Sequence, residues 1–165
     1  MGEAGSPFQP LLDAHEDFVD KLTELEATLD EMMRTREASE GNREILDESI
    51  RFFEEELLPH FVQEDEVVLP PLEAAIGRFG TLVNVVAYEH EEIRREVHKF
   101  EDARRELDSR RDPWPAIEEL NRHGIFTIQF LWDHFRKERT GLFPAALQKL
   151  TGPQLEGIRE RLARA

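Results

Sequence analysis

The chain contains two copies of a histidine and a glutamate spaced four residues apart. The segment HFVQE runs from His60 to Glu64, and HFRKE runs from His134 to Glu138, 74 residues later. On a helix, residues i and i+4 lie on the same face, so each pair can hold a metal ion between an imidazole and a carboxylate. The repeat of the pair in both halves of the chain indicates one site built twice.

A single histidine precedes each pair, and these two, His15 and His90, are 75 residues apart. Neighbouring antiparallel helices bring together residues that are equally far from the connecting turn. The midpoints between His15 and His60, His60 and His90, and His90 and His134 are 37.5, 75 and 112. Each midpoint falls in or beside a polar, glycine-rich or proline-rich segment. We therefore expect the four histidines in one layer, with both glutamates about one turn away.

The residue types limit the chemistry. Imidazole and carboxylate without thiolate suit non-haem iron, manganese or zinc, and two buried carboxylates are costly unless cations compensate them. The chain has no cysteine, which excludes disulfides, iron-sulfur clusters, thiolate zinc sites and thiol catalysis. It has no glycine-rich phosphate loop. Two metal ions bridged by the glutamates are expected, with no haem and no nucleotide.

Apolar residues recur at threes and fours in four long runs, which predicts four helices. A shorter run follows near the end of the chain. The predicted helices cover residues 11–33, 44–68, 82–107, 116–140 and 153–163. Pro59 should kink the second helix, Pro70 and Pro71 should end it, and Gly141 with Pro144 should end the fourth.

These runs predict an all-α fold, an antiparallel up-down-up-down four-helix bundle with a short C-terminal fifth helix. Residues 1–9 are expected to be a flexible N-terminus and residues 10–147 the bundle. Residues 148–165 are expected to form the short helix packed on it. A chain of 165 residues fits one domain.

The charge balance limits the partners. The net charge of −15 repels phosphate backbones and anionic headgroups, so neither nucleic acid nor membrane is an expected partner. No stretch approaches the roughly 20 apolar residues that span a bilayer, and the first ten residues lack a basic start and an apolar run. The expected location is the cytoplasm.

The two HFxxE segments are each followed by a similar dipeptide, Leu69-Pro70 in the first half and Phe143-Pro144 in the second. With these motifs the chain resembles the hemerythrin-like, HHE cation-binding domain family over roughly residues 10–147.

The resemblance implies a non-haem di-iron centre that binds oxygen, nitric oxide or peroxide for sensing, storage or detoxification. Each iron would have two histidine ligands, and both glutamates would bridge. The implied ligands are His15 and His60 on one iron, His90 and His134 on the other, and Glu64 and Glu138 as bridges.

The chain departs from the oxygen-carrying members of the family on the third helix. They have a second histidine one turn from the first, whereas here the positions four away from His90 are Val86 and Arg94. This leaves an extra open position or a substitute ligand. Glu56, one turn before His60, is a candidate additional ligand. The alternatives are that Glu56 pairs with Arg94 or lies in solvent.

Several apolar residues at helical spacing are candidates to line a pocket beside the metals, or to be ordinary core. They are Phe18, Leu22, Phe53, Val86 and Phe130. Two further histidines, His98 and His123, are expected to have structural or surface roles, and their spacing predicts that they face each other in a second layer.

Two other functions fit the same residues. One is a metal-stabilised helical interaction module, or an iron-handling or iron-sensing protein without redox turnover. The other is a helical bundle that holds no metal. Substitution of His60 or His134 would lower the metal content in the first case and leave it unchanged in the second.

Overall fold

The computed structural model describes residues 5–164, and every regular element in that range is helical, as the sequence predicts. The helices are α1 (Gln9–Thr35), α2 (Glu40–Phe52), α3 (Leu58–Gln63), α4 (Leu69–Ile76), α5 (Leu82–Ser109), α6 (Trp114–Lys137), α7 (Phe143–Lys149) and α8 (Gly152–Arg164). We call α1 the first rod, residues 40–76 the second, α5 the third and residues 114–149 the fourth. Within residues 5–164, no helix is both long and apolar enough to cross a membrane.

Three π turns join the helices inside the second and fourth rods. They are π1 (Phe53–Leu57), π2 (Glu64–Val68) and π3 (Glu138–Leu142). After each turn, the backbone N–H of Leu58, Leu69 or Phe143 donates to the carbonyl five residues earlier. A proline follows each of these donors. Proline lacks an N–H and its ring clashes with the carbonyl four residues back, so the wider turn lets the rod continue.

The prolines therefore act differently from the sequence expectation. The second rod does not end at Pro70 and Pro71 but continues to Ile76, and the fourth passes Pro144 and continues to Lys149. Near Pro59, where a kink was expected, the structure has π1. The missing donor changes the type of turn and does not stop the helix.

Both ends of the described chain pack against the bundle. Phe8, which belongs to the segment expected to be a flexible N-terminus, is fully buried and stacks on Phe143, with ring centroids 4.8 Å apart. Residues 1–4 of that segment lie outside the described residues. At the other end, Ile158 and Leu162 of α8 are buried in the same cluster as Phe8.

Side-chain contacts between neighbouring rods follow an opposed order, in which residue numbers rise along one rod as they fall along its neighbour. On α1 and the second rod, Glu31 contacts Asn42 near the connection, and His15 contacts His60 far from it. The second and third rods show the same order in the contacts Asp47–Arg104 and Asp65–Arg94. The third and fourth rods show it in the contacts Glu96–His123 and Glu89–His134.

The buried apolar residues form two clusters separated by a polar layer. On α1, Leu11 belongs to the smaller cluster and Phe18 to the larger one, with His15 between them. On α5, Val86 belongs to the smaller cluster and Ile93 to the larger one, and the buried His90 lies between them. The polar layer therefore lies inside the protein and not at one end.

Candidate metal centre

The Glu64 carboxylate lies between histidines of different rods. Its Oε2 is 3.0 Å from Nε2 of His60, which lies one turn earlier on the second rod. Its Oε1 is 3.0 Å from Nε2 of His90 on α5. Each carboxylate oxygen of Glu64, the first residue of π2, therefore faces one histidine.

Glu138, the first residue of π3, has the corresponding position on the fourth rod. Its Oε1 is 3.2 Å from Nε2 of His15, and its Oε2 is 3.3 Å from Nε2 of His134. Across the layer, Nε2 of His15 is 3.1 Å from Nε2 of His60. The structure thus brings together all six residues that the sequence singled out as ligands.

These six side chains form two overlapping groups of possible metal ligands. The groups are His15, His60, Glu64 and Glu138, and Glu64, His90, His134 and Glu138. Within each group the ligand atoms lie within 4.8 Å of one another. Nitrogen and oxygen atoms bound about 2.1 Å from one ion lie roughly 3 to 4 Å apart, so both groups have the spacing of a coordination sphere. Both glutamates belong to both groups.

Several of these atoms lie close to one another but form no hydrogen bond of suitable geometry among the described residues. They are both carboxylate oxygens of Glu64 and Glu138, and Nε2 of His90 and His134. Both carboxylates are fully buried. Buried polar atoms normally have partners, and their absence here is explained when the atoms are directed at cations. The donor set fits non-haem iron, manganese or zinc.

The phenylalanine of each HFxxE segment packs on a histidine of another rod. Phe61 stacks on His90 and Phe135 stacks on His15, each with ring centroids 4.2 Å apart. Phe18 contacts His60 edge-on at 5.1 Å. These rings fix the orientation of the imidazoles and keep water from their faces.

Residues 6–146 match the family model described as the hemerythrin HHE cation-binding domain. The chain belongs to this family. No curated protein matches the chain. The matched residues include all six side chains of the hemerythrin-like site, while α8 lies beyond them.

Two of the four site histidines have a carboxylate behind them. Nδ1 of His90 is 2.7 Å from Asp65, whose other oxygen accepts from Arg94 at 2.8 Å. Nδ1 of His134 is 2.9 Å from Glu89, which also binds Lys137. Such partners hold the imidazole in the tautomer that ligates through Nε2 and raise its basicity.

In the described part of the chain, His15 and His60 have no carboxylate within 4.0 Å of Nδ1. The hemerythrin-like site therefore has two unequal halves. The half formed by His90 and His134 has a second layer of charged partners, and the half formed by His15 and His60 lacks one.

The electrostatics of the layer favour charged side chains in the metal-free protein. Burial alone would lower the pKa of His90, but Asp65 and the two site glutamates outweigh it and raise this pKa to about 11. For His134, burial is likewise outweighed by Glu138 and Glu89, which raise the pKa to about 9. Burial alone would raise the pKa of Glu138, but His134 keeps it well below its usual range. Protons thus take the place of cations in the metal-free layer.

The candidate additional ligand Glu56 is not part of this arrangement. Its side chain is half exposed and its carboxylate binds Lys21 of α1. It lies inside π1, where the wider turn changes the direction of the side chains relative to a regular helix. Glu56 also does not pair with Arg94, which binds Asp65 and Glu91.

The five candidate pocket residues are distributed over both apolar clusters. Phe18, Leu22 and Phe53 lie in the larger cluster and Val86 in the smaller one. Phe130 is half-buried and stacks on Phe126 at 5.3 Å. Of these residues, Phe18 is the one with a ring contact to a site histidine.

The other two histidines do not face each other. His98 is 72% exposed in its side chain and lies 3.7 Å from Asp102. His123 bridges Glu96 and Glu119, at 2.6 and 3.1 Å. The expectation that they face each other is therefore wrong, although the surface role expected for His98 agrees with its exposure.

Sequence reasoning missed Asp65 and Glu89. Both are immediate neighbours of site residues, Glu64 and His90. The chain contains 36 acidic residues, so adjacency to a ligand carries little information by itself. Their role depends on which rod faces them, which the sequence does not show.

Proposed function

We propose that the protein is a non-haem di-iron protein of the hemerythrin HHE family that binds a small molecule such as oxygen, nitric oxide or peroxide. His15 and His60 would hold one iron, and His90 and His134 the other. The observation that carries this proposal is that both buried glutamates belong to both ligand groups. A carboxylate shared in this way is a bridge between two ions.

The charges of the layer support two cations. Two fully buried carboxylates face four histidines, and two of these histidines are held charged when no metal is present. Divalent cations can replace those protons and satisfy the carboxylate oxygens that lack hydrogen bonds. Iron with an open position supplies redox chemistry and affinity for small ligands.

The residues around the layer have their own tasks in this proposal. Phe61 and Phe135 cover the imidazole faces of His90 and His15 and exclude water. Asp65 and Glu89 hold the Nδ1 protons of two ligands. With one ligand fewer on the third rod than in oxygen-carrying hemerythrins, the irons would keep more exchangeable positions, which suits sensing, storage or detoxification.

The proposal includes the antiparallel up-down-up-down arrangement of the four rods. The opposed order of contacts supports it, because Glu31 meets Asn42 near the connection of the first two rods while His15 meets His60 far from it. The proposal also includes a cytoplasmic location. The net charge of −15 supports the absence of nucleic-acid and membrane partners.

The proposal is tested by the iron content after anaerobic loading with ferrous iron, desalting and elemental analysis. We expect about two irons per chain in the wild type, about one in His60→Ala, and nearly none in Glu64→Ala, because this carboxylate serves both ions. His98→Ala is the control and should retain two, since His98 is exposed and outside the layer. Equal iron contents in all four proteins would refute the site.

The ligand is tested on the loaded protein. Nitric oxide added anaerobically should change the visible absorption of the wild type, and peroxide should be consumed faster than by the same amount of free iron. A protein that holds two irons but responds to neither reagent would be an iron-handling or iron-sensing protein, or a metal-stabilised module. That outcome would separate the metal site from the proposed ligand.

A further inference from the structure

A cleft of about 350 Å³ opens between α1 and the fourth rod, next to the polar layer. His15 forms part of its wall, together with Leu12 and Val19 of α1 and Trp132 and Phe135 of α6. This volume is far larger than the roughly 30 Å³ that one water molecule takes up in the liquid. It can therefore hold a small molecule and its hydration water.

The exposure of the six site residues is uneven. His15 is 6% exposed and His60 4%, whereas the other four are fully buried. Phe135, which stacks on His15, is 3% exposed and covers one face of that ring. A molecule that approaches the layer from this side must pass the edge of the His15 imidazole. Trp132 and Val19, each more than one-third exposed, form the outer walls of the cleft.

The cleft also carries a cation in a strongly acidic protein. Arg139 lines it and has no carboxylate within 4.0 Å among the described residues. Arg136, three residues earlier, is tied to Asp133 instead. Glu16 stands on the α1 side of the cleft and partly opposes the charge of Arg139. With a net charge of −15, the rest of the molecule repels anions, so a local guanidinium has a large relative effect.

We propose that this cleft is the route by which small ligands reach the metal layer, with Trp132 limiting their size and Arg139 favouring single negative charge. The ligand class is a small neutral or singly negative molecule. The inference rests on the proposed function for its ligand, but the route itself is a property of the metal-free protein.

The first test uses the metal-free protein and needs no iron. Diethyl pyrocarbonate modifies accessible histidines, and mass spectrometry reports each site separately. Trp132→Ala should raise the modification rate of His15 severalfold while His90 and His134 stay protected. Phe126→Ala is the matched control, because Phe126 is an exposed aromatic residue of α6 that stacks on Phe130.

An unchanged rate at His15 in Trp132→Ala would overturn the route, as would the same increase in Phe126→Ala. A rise at His90 and His134 equal to that at His15 would indicate general loosening of the fold and would also overturn it. This result does not depend on metal, so it is distinguishable from a failure of the iron proposal.

The second test uses the oxidised, iron-loaded protein and compares azide with hydrogen peroxide. Arg139→Gln should slow azide binding about twofold to threefold at low salt, the effect of one charge about 8 Å from a small anion in water. The difference should shrink as salt is added, and the rate with uncharged peroxide should not change. Arg136→Gln removes the same charge and should leave both rates nearly unchanged, since Arg136 does not line the cleft. Equal azide rates in wild type and Arg139→Gln would refute the role of Arg139.

Discussion

Replacement of Glu89 by alanine tests how the second layer of charges supports the metal centre. In the structure, Glu89 lies 2.9 Å from Nδ1 of His134 and its other oxygen binds Lys137. Its side chain is 8% exposed, so little water is available to replace it. A neutral imidazole that ligates through Nε2 must donate from Nδ1, and in Glu89→Ala this donor loses its partner.

Two opposing effects set the size of the change. An unpaired buried donor costs about 1 to 3 kcal/mol, and loss of such a partner typically lowers metal affinity about 10- to 100-fold. Glu89 also helps to hold the proton on metal-free His134, whose pKa is about 9. At pH 7 a metal must displace that proton, at a cost of about 100-fold in affinity. Glu89→Ala reduces this competition as well.

The loss of the Nδ1 partner weakens metal binding and the reduced proton competition strengthens it, so the two effects cancel in part near pH 7. They do not cancel at alkaline pH, where there is no proton to displace. We therefore expect Glu89→Ala to weaken metal binding by less than about tenfold at pH 7 and by about 10- to 100-fold above pH 9, where His134 is already deprotonated. Cobalt(II) is a suitable probe, because its visible absorption reports binding and a competing chelator extends the range. The affinity is measured at both pH values for wild type and variant.

Glu92→Ala is the matched control on the same helix, since Glu92 binds Arg95 at the surface. It should bind cobalt as the wild type does at both pH values. A loss in Glu89→Ala that is the same at pH 7 and above pH 9 would refute the role of His134 protonation. An equal loss in Glu92→Ala would show that the effect is a general one of surface charge.

Three further predictions follow from the same contacts. The protonated forms of His90 and His134, whose pKa values are raised, stabilise the folded metal-free protein fully below about pH 6.5, and this stabilisation is lost as pH rises through about 9 and about 11. The melting temperature of the metal-free protein should therefore fall over that range, while that of the metal-loaded protein should not. A metal-free melting temperature that rises there would contradict this prediction. Gly124→Ala places a Cβ 2.6 Å from a buried leucine methyl carbon of α1, so it should destabilise the folded protein by about 1 kcal/mol and lower the melting temperature by about 2 to 4 °C. In Gly157→Ala the Cβ meets nothing within 4 Å, so this substitution should be neutral or stabilising. Calorimetry distinguishes the two. Glu56→Ala should leave the iron content unchanged, since that carboxylate binds a surface lysine, and a loss of one iron would restore it as a ligand.

The six central residues of the site could be found from sequence because their signal is geometric. The His60 to Glu64 spacing fixes a helix face, and its repetition at His134 to Glu138 fixes a second one. The turn midpoints then give the level of each histidine along its rod. These features depend on helix geometry alone, and the structure brings the six side chains together as expected.

The supporting residues could not be found in this way. Asp65 and Glu89 act on histidines of a neighbouring rod, so their role depends on side-chain directions across an interface. Glu56 had the right spacing from His60 for a regular helix, but Glu56 lies inside π1, and its carboxylate binds Lys21. Sequence periodicity assumes the same number of residues in every helical turn, and a π turn contains more residues than an α-helical turn.

The prolines explain both this error and the shape of the centre. In the two halves of the chain, the buried site glutamate is the first residue of a π turn, and the donor that closes the turn directly precedes Pro70 or Pro144. Regular helix geometry would place residue 68 over Glu64, whereas the π turn places Leu69 there and so moves the downstream apolar face by one position. The smaller cluster accepts this shift, because Leu69 and Leu72 are buried in it. A proline six residues after a buried carboxylate on a helix is therefore better interpreted as following a wide turn than as ending the helix.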